Sequence, residues 1–173
     1  MSSDFNKDAL FRSAKRINVS YFKEQQEDAI NAIWQWWQSQ SISFTLSGYA
    51  GTGKTFIMRH LVRYLIIEKV CVTAPTHKAL RVLENSSGKK GMTIQSLCGL
   101  RPDVDIEDYN IENPSFKVIG EQKMRGYRLV IIDECSMINP GLFNLLIKTA
   151  IQCRCKLLFL GDELQIPYVI AKG

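Results

Sequence analysis

Residues that commonly bind metals are scarce in this sequence, which contains 2 histidines and 5 cysteines in 173 residues. The cysteines are scattered, and only Cys153 and Cys155 lie close together. One C-x-C pair with so few histidines makes a poor zinc site, because structural zinc usually takes four cysteine or histidine ligands. We therefore interpret the thiols as buried or incidental.

Long apolar runs are also missing from the chain. No segment approaches the ~20 consecutive apolar residues that span a membrane, and residues 1–16 lack the apolar stretch of a secretory signal. We therefore expect no membrane partner and a reducing, cytoplasmic location. The chain also has no internal repeat and no low-complexity segment, and its 46% hydrophobic and 23% charged residues exclude a disordered tail, a coiled coil and a collagen-like fibre.

What the sequence does contain is an ordinary globular composition with a modest positive charge. The net charge of +5 permits nucleic-acid binding without requiring it. The length predicts one domain that is large enough to bury a core without disulfides or metals. We expect an N-terminal extension at residues 1–20, followed by a single domain at residues 21–173.

Apolar strand-like runs alternate with helical patterns along this domain. Strands are predicted at residues 44–47, 70–74, 129–132 and 156–160, and helices at 23–38, 56–67, 77–83 and 140–151. The alternation predicts an α/β fold with a mostly parallel sheet flanked by helices. The continuous apolar runs at 129–132 and 156–160 are typical of strands that are buried on both faces.

Two segments need separate interpretation. The helix at 23–38 carries an apolar stripe that should pack on the sheet, and Trp36 falls outside it and is predicted to be exposed; the stripe comprises Ala29, Ile30, Ile33, Trp34 and Trp37. Residues 101–126 lack a clear period and are long for a connection between a strand and a helix. They form either a functional insertion or a mobile loop.

A glycine-rich segment, GYAGTGKT at residues 48–55, follows a predicted strand and opens a predicted helix. This context is the one in which G-x-x-x-x-G-K-[ST] binds phosphates. Glycines let backbone N–H groups turn toward the phosphates, and the start of the helix adds further free amides. We expect Lys54 to contact the β- and γ-phosphates and Thr55 to bind Mg²⁺; the nucleotide-binding residues are Gly48, Tyr49, Ala50, Gly51, Thr52, Gly53, Lys54 and Thr55.

Two later strand ends complete such a site. The strand at 129–132 delivers Asp133 at its carboxyl end, where open α/β sheets bind ligands, and its carboxylate could hold Mg²⁺ through water. Glu134 is placed to orient and deprotonate an attacking water, which favours nucleotide hydrolysis over transfer to a small acceptor. Gln165, after the last strand, could hydrogen-bond the γ-phosphate. Lys54, Glu134 and Gln165 are therefore the candidate catalytic residues.

Four segments, taken in order, resemble one family. They are residues 48–55, Ala-Pro-Thr-His-Lys-Ala at 74–79, Asp-Glu-Cys-Ser-Met at 133–137, and 161–169. Together they look like the first RecA-like motor domain of superfamily 1B DNA helicases, the RecD and Dda group. The chain departs from the family pattern where Ile166 and Tyr168 replace a leucine and a proline, and where Gln95 replaces a histidine.

The resemblance implies a RecA-like P-loop ATPase domain that uses ATP and Mg²⁺ and belongs to an ATP-hydrolysing 5′-to-3′ DNA helicase. It implies that the strand at 156–160 lies between the phosphate-loop strand and the strand at 129–132. By the same resemblance, Gln26 reads the adenine edge and residues 101–126 form a pin-like element. Single-stranded DNA would contact Pro75, Thr76, His77, Thr93 and Gln95.

The family's second RecA-like domain does not follow within the 173 residues, so we expect it as a partner in cis or in trans. Without its arginine finger, this chain should bind ATP, turn it over slowly and bind single-stranded DNA weakly. Two other functions stay open. One is a nucleotide-dependent binding switch without unwinding activity; the other is a P-loop kinase or another ATPase, such as a AAA-type loader.

Overall fold

The computed structural model describes residues 24–47, 58, 69–101, 110, 112 and 120–161, with the side chains of residues 24–26 excepted. Within these ranges the strands form one parallel sheet in the order β1-β5-β4-β2-β3. They are β1 (Ser43–Ser47), β2 (Val70–Ala74), β3 (Gly91–Thr93), β4 (Leu129–Ile132) and β5 (Lys156–Gly161). The predicted α/β class is confirmed, and β5 lies between β1 and β4, as the resemblance implies.

The first of the described helices precedes β1, and the others connect later strands. They are α1 (Glu24–Gln38), α2 (His77–Ser87), α3 (Ile94–Cys98) and α4 (Pro140–Cys153), with 3₁₀ turns at Lys123–Gly126 and Cys135–Met137. Pro140 occupies the first turn of α4, and the side chain of Asn139 accepts a hydrogen bond from the Leu142 N–H. The sequence predicts α2 four residues too short, because the helix continues to a left-handed glycine at Gly88.

The sheet is covered on both faces, as the continuous apolar strands predict. All the described residues of β2, β4 and β5 are buried. Alternate residues of β2 face different layers: Val70, Val72 and Ala74 pack with α1 and α2, whereas Cys71 packs with α3 and α4. The strands therefore form the centre of a three-layer core, and the polar ends of the sheet are left for other contacts.

The prediction that Trp36 is exposed is wrong, because its side chain retains only 5% of its accessible surface. Its ring packs against Phe44 of β1 at a centroid distance of 5.7 Å and lies 5.0 Å from the Lys156 ammonium. A single helical stripe misses this residue because the last turn of α1 contacts both the sheet and the chain that follows it. Trp34, which lies on the predicted stripe, is only partly buried.

The Lys156 ammonium fixes the end of α1 to the start of β5. It donates hydrogen bonds to the carbonyl oxygens of Trp36, Ser39 and Ser41 at 2.9, 2.8 and 2.9 Å. Burial lowers the pKa of Lys156, while the three oxygens and the dipole of the helix end favour its charged form. Lys156 and its three carbonyl acceptors therefore link the last turn of α1 and the residues after it to β5.

A close contact joins the chain just before the segment predicted as an insertion, residues 101–126, to a point within that segment. The Gly120 N–H donates to the Gly99 carbonyl oxygen at 3.1 Å, and a Cβ on Gly99 would lie 2.7 Å from the Gly120 oxygen. Gly99 has a φ of 70°, which favours glycine. Farther on, Met124 is fully buried and the Lys123 ammonium donates to the Ser96 hydroxyl at 3.2 Å. Residues 120–126 are therefore packed on the domain; most of residues 101–119 lie outside the described part.

The cysteines behave as the sequence predicts. All five are free thiols; Cys71, Cys98, Cys135 and Cys155 are buried, and Cys153 is partly buried. Burial raises the pKa of Cys71 to about 11 and the pKa values of Cys98 and Cys155 to about 12. Among the described residues, no group of three or more cysteine, histidine or carboxylate side chains could hold a metal ion.

Candidate functional site

The candidate site lies where the parallel strands end. β1 ends at Ser47 immediately before the 48–55 loop, β5 ends at Gly161 four residues before Gln165, and β4 ends one residue before Asp133. These strands are neighbours in the order β1-β5-β4, so the three segments leave the same edge side by side. Since adjacent strands are ~4.8 Å apart, β1 and β4 are separated by roughly 10 Å. This spacing suits the phosphate end of a nucleotide.

Several predicted site residues lie outside the described part of the chain. They are the loop residues Gly48 to Thr55, including Lys54, and Gln165. Gln26 belongs to the first turn of α1, and its side chain is outside the description. The roles assigned to these residues stay predictions.

Backbone hydrogen bonds fix Asp133 at the edge. Its N–H donates to the Thr73 carbonyl oxygen at 3.0 Å, which extends the pairing of β4 with β2 by one residue. Its Oδ1 atom accepts a hydrogen bond from the Glu134 N–H at 2.9 Å. Asp133 is partly buried. The structure therefore anchors and orients this carboxylate before any ligand binds.

Glu134 has an unusual backbone conformation, with φ 52° and ψ 43°. Left-handed geometry costs roughly 1–2 kcal/mol in a non-glycine residue, and such strain is common at functional sites. The Met137 N–H then donates to the Glu134 carbonyl oxygen at 3.2 Å, which closes the turn after β4. The side chain of Glu134 is exposed. The turn thus leaves this carboxylate accessible to a water molecule while Asp133 stays anchored.

The predicted DNA contacts at the end of β2 have different environments. Pro75 is buried, whereas Thr76 and His77 are exposed. Thr76 is the N-cap of α2, and its hydroxyl accepts a hydrogen bond from the Ala79 N–H at 3.2 Å. A capping hydroxyl can still donate its own hydrogen. Thr76 therefore presents a donor beside the free amides of a helix start, which attract anions.

The second pair of predicted DNA contacts lies at the neighbouring strand. Thr93 ends β3 and caps α3, and its hydroxyl accepts a hydrogen bond from the Ser96 N–H at 3.3 Å. Thr93 and Gln95 are both partly buried. Because Ala74 pairs with Thr93 across the sheet, the starts of α2 and α3 lie at the same edge.

The described part of the site therefore lies at the ends of three adjacent strands, β4, β2 and β3: Asp133 follows β4, the cap Thr76 follows β2, and the cap Thr93 ends β3. Sequence reasoning missed a residue that supports this edge without being exposed to a ligand, Thr73, which is fully buried and bonded to both Asp133 and β3. The available signal was a hydroxyl in the otherwise apolar strand Val-Cys-Val-Thr-Ala. The strand order and this polar edge define a RecA-like domain.

Comparisons with known proteins identify the family. A family model described as AAA domain matches residues 26–171. The chain is 33% identical to the ATP-dependent DNA helicase dda of Enterobacteria phage T4, over 83% of this chain and 32% of that protein. It is 35% identical to the uncharacterized protein R530 of Acanthamoeba polyphaga mimivirus, over 73% of this chain and 29% of that protein.

Among solved structures, the chain resembles Bacteroides sp Pif1 in complex with ADP-AlF4, with a TM-score of 0.57 and 24% identity. The likeness covers 88% of this chain and 34% of that one, and it concerns the fold. The chain belongs to the AAA-domain family. Within that family it groups with the N-terminal ATPase domains of superfamily 1B helicases, which its motifs resemble. It spans about a third of the length of these relatives.

None of the described helices is long and apolar enough to cross a membrane.

Proposed function

We propose that this chain is the ATP-binding and ATP-hydrolysing motor domain of a superfamily 1B 5′-to-3′ DNA helicase. The observation that carries the proposal is the strand order β1-β5-β4. It sets the start of the 48–55 loop, the segment leading to Gln165 and the Asp133–Glu134 turn at one edge of a parallel sheet. This strand order supports a nucleotide site at that edge, with the predicted phosphate, metal and water ligands following neighbouring strands.

In this proposal the 48–55 loop binds the phosphates, Lys54 contacts the β- and γ-phosphates, and Gln26 reads the adenine edge. Glu134 orients and deprotonates the attacking water, for which its exposed carboxylate is suitable. Gln165 hydrogen-bonds the γ-phosphate. The anchored position of Asp133 and the accessible position of Glu134 support this division of roles.

The residues present fit Mg²⁺. This ion prefers oxygen ligands and usually keeps several waters, with one or two protein ligands beside the phosphates. Asp133 supplies an oriented carboxylate at the strand end, and Thr55 supplies the second predicted ligand. When bound, Mg²⁺ neutralises charge on the β- and γ-phosphates.

Single-stranded DNA is the proposed partner of the edge formed by the starts of α2 and α3. Exposed donors are available at Thr76 and His77, and Thr93 and Gln95 follow on the neighbouring strand. If two or three phosphates are neutralised, log K should fall with log salt with a slope of roughly −1.4 to −2.1, at about −0.7 for each phosphate. Binding to this chain alone should therefore be weak.

A second RecA-like domain, in cis or in trans, would complete the proposed ATPase site. Its arginine would stabilise charge on the γ-phosphoryl oxygens, an effect worth about 10³ to 10⁵ in rate. This chain alone should then bind ATP and turn it over slowly. We propose that residues 101–126 act as the pin-like element of the same motor.

The binding part of the proposal is tested with Lys54→Ala and the control Lys69→Ala, because Lys69 is an exposed lysine at the amino end of β2. Isothermal titration calorimetry with Mg·ATP should show a large loss of affinity for Lys54→Ala only, since backbone amides cannot replace a charge on the phosphates. Equal affinities in the wild type and Lys54→Ala would refute the assignment of the site.

The motor part is tested by steady-state ATPase with and without a single-stranded oligonucleotide, before and after the second domain is added. Addition should raise turnover steeply and make it depend on the oligonucleotide. Turnover of tens per second by the monomer alone would contradict the need for an arginine from elsewhere. Preferential binding of duplex DNA would count against the helicase function itself.

A further inference from the structure

Thr73 is a fully buried polar residue near the carboxyl end of β2. It retains none of its accessible surface, and its hydroxyl donates a hydrogen bond to the Met92 carbonyl oxygen of β3 at 2.5 Å. Thr149, in α4, is 1% exposed, and its hydroxyl has no hydrogen-bond partner in the described part of the chain. Within the described residues, these two buried threonines therefore differ in one respect: Thr73 uses its hydroxyl in a hydrogen bond and Thr149 does not.

The backbone of Thr73 contacts the residue that follows β4, the strand that neighbours β2 on the side away from β3. Its carbonyl oxygen accepts the hydrogen bond from the Asp133 N–H at 3.0 Å, immediately before the strained residue Glu134. In register, Thr73 lies opposite Ile132 of β4 and opposite Met92 of β3. One residue thus joins the turn that holds the proposed catalytic carboxylates to the edge strand.

The segment that follows Thr73 and the segment that follows Met92 each lead directly to a predicted DNA contact. Thr76, the cap of α2, is three residues after Thr73, and Thr93, the cap of α3, is one residue after Met92. A second side chain holds β3 at its start, since the Glu84 carboxylate accepts a hydrogen bond from the Gly91 N–H at 2.8 Å. β3 is only three residues long, so these side-chain bonds are a large part of what positions it.

We infer that Thr73 is a positioning residue that couples the nucleotide edge of the sheet to the starts of α2 and α3. The inference rests on the proposed function. Its physical basis is that a displacement of Asp133 must move the Thr73 carbonyl to which it is bonded, and with it the Thr73 hydroxyl. Because the Thr73 side chain is fully buried, breaking this bond would leave its hydroxyl without water as a replacement partner, and β3 follows instead.

Coupling between two binding sites is reciprocal and is measured as a ratio of dissociation constants. The test is the Kd for a fluorescent single-stranded oligonucleotide, measured with and without saturating Mg·ATPγS. The variants are Thr73→Val, which keeps the branched shape and removes the hydroxyl, Thr73→Ser, which restores the hydroxyl, and the matched control Thr149→Val. We expect the nucleotide to change the wild-type Kd by about 5-fold or more, within the usual range of allosteric coupling.

In Thr73→Val this ratio should fall to less than about twofold, whereas Thr73→Ser and Thr149→Val should keep most of the wild-type ratio. The Kd for Mg·ATPγS alone should change little in all three variants. A wild-type ratio in Thr73→Val would overturn the inference. A wild type that binds both ligands without coupling would also overturn it and leave the proposed function intact, whereas failure to bind either ligand would refute both.

A second measurement does not depend on DNA binding. In ¹⁵N-labelled protein, Mg·ATPγS should shift the amide signals of Thr93 and Ser96 in the wild type and Thr73→Ser. In Thr73→Val these shifts should be lost while the Glu134 amide still responds. Equal shifts at Thr93 in the wild type and Thr73→Val would overturn the inference even if the variant is less stable.

Discussion

The two ends of the parallel sheet use polar groups in opposite ways. At the amino end, the Lys156 ammonium is nearly buried, and its hydrogen bonds are taken by three backbone carbonyls. At the carboxyl end, Glu134 is exposed in a left-handed conformation, and Thr76 is exposed at a helix start. The amino end therefore uses its polar groups for stability, while the carboxyl end keeps its groups accessible for ligands.

This contrast follows from the geometry of a parallel sheet. Each strand of a parallel α/β unit ends where a helix begins, so helix starts with free N–H groups collect at the carboxyl edge, while helix ends with free carbonyls collect at the amino edge. A buried cation such as Lys156 suits the second environment. Anionic ligands suit the first. Changes at the two ends should therefore separate function from stability.

The largest expected effect is at the carboxyl end. Glu134→Gln should leave Mg·ATP affinity nearly unchanged and slow hydrolysis by about 10²- to 10⁴-fold, the usual contribution of a positioned general base. Single-turnover hydrolysis measured with excess protein tests this, because it detects chemistry that is too slow for a steady-state assay. Glu121→Gln, at an exposed carboxylate in the 120–122 segment, serves as the control. Similar rates for the two variants would remove Glu134 from the mechanism.

A substitution at the amino end of the sheet should lower the free energy of unfolding and leave ATP affinity unchanged. Lys156→Met keeps an unbranched side chain but leaves three carbonyl oxygens without their donor, which should lower the free energy of unfolding by about 2–4 kcal/mol. Lys148→Met, at an exposed position of α4, should change it by less than about 0.5 kcal/mol. Urea unfolding gives both values, and calorimetry should show unchanged ATP affinity. A loss of affinity in Lys156→Met without a loss of stability would reverse the contrast.

Alkaline pH should destabilise the folded protein, because buried cysteines lie in the core between the two ends of the sheet. Burial raises the pKa of Cys71 to about 11 and of Cys98 and Cys155 to about 12. Above pH 9, thiols of the unfolded chain lose protons that the folded chain retains, so stability is full below pH 9 and falls as pH rises toward 11. Each thiol contributes up to roughly 1.4 kcal/mol per pH unit.

Lys156 acts in the opposite sense as pH approaches its ordinary pKa, because burial lowers its pKa. A single opposing group should not cancel three thiols. Melting temperatures measured between pH 8 and pH 11 test the prediction, and Cys98→Ala, at a buried position, should reduce the slope. A melting temperature that rises across this range would contradict the assignment.

The smallest expected effect is at the cap of α2. Thr76→Ala should cost about 1 kcal/mol of stability, because the Ala79 N–H loses its acceptor. Thr76→Ser should restore most of this loss. The same pair of variants separates capping from ligand contact, since oligonucleotide affinity should fall in Thr76→Ala and recover in Thr76→Ser. Unchanged affinity in both would limit Thr76 to a structural role.

Much of this architecture could be predicted because it depends on strong local patterns. The apolar runs at 70–74 and 129–132 are strands with the predicted bounds, and Pro140 starts α4 as expected. The acidic pair at the end of β4 was also predictable, because the end of an apolar strand fixes where Asp133 must lie.

The remaining features depend on contacts that are distant in sequence. β3 has only three residues. Position 91 must be glycine for the strand to pair there, because a side chain would collide with the Val72 carbonyl oxygen. Trp36 is buried through Phe44 and Lys156, which no helical periodicity can reveal. The role of Thr73 likewise needs Met92 and Asp133 to be brought to either side of it.

The close approach of Gly99 and Gly120 has a consequence for how this domain tolerates change. Because the chain leaves and returns at two hydrogen-bonded residues, the intervening stretch can differ in length at little thermodynamic cost, since loop-closure entropy grows only slowly with loop length. The two glycines thus return the chain to within one hydrogen bond of the point at which it left, so the distance between the flanking elements is set by this contact and not by the number of residues between them.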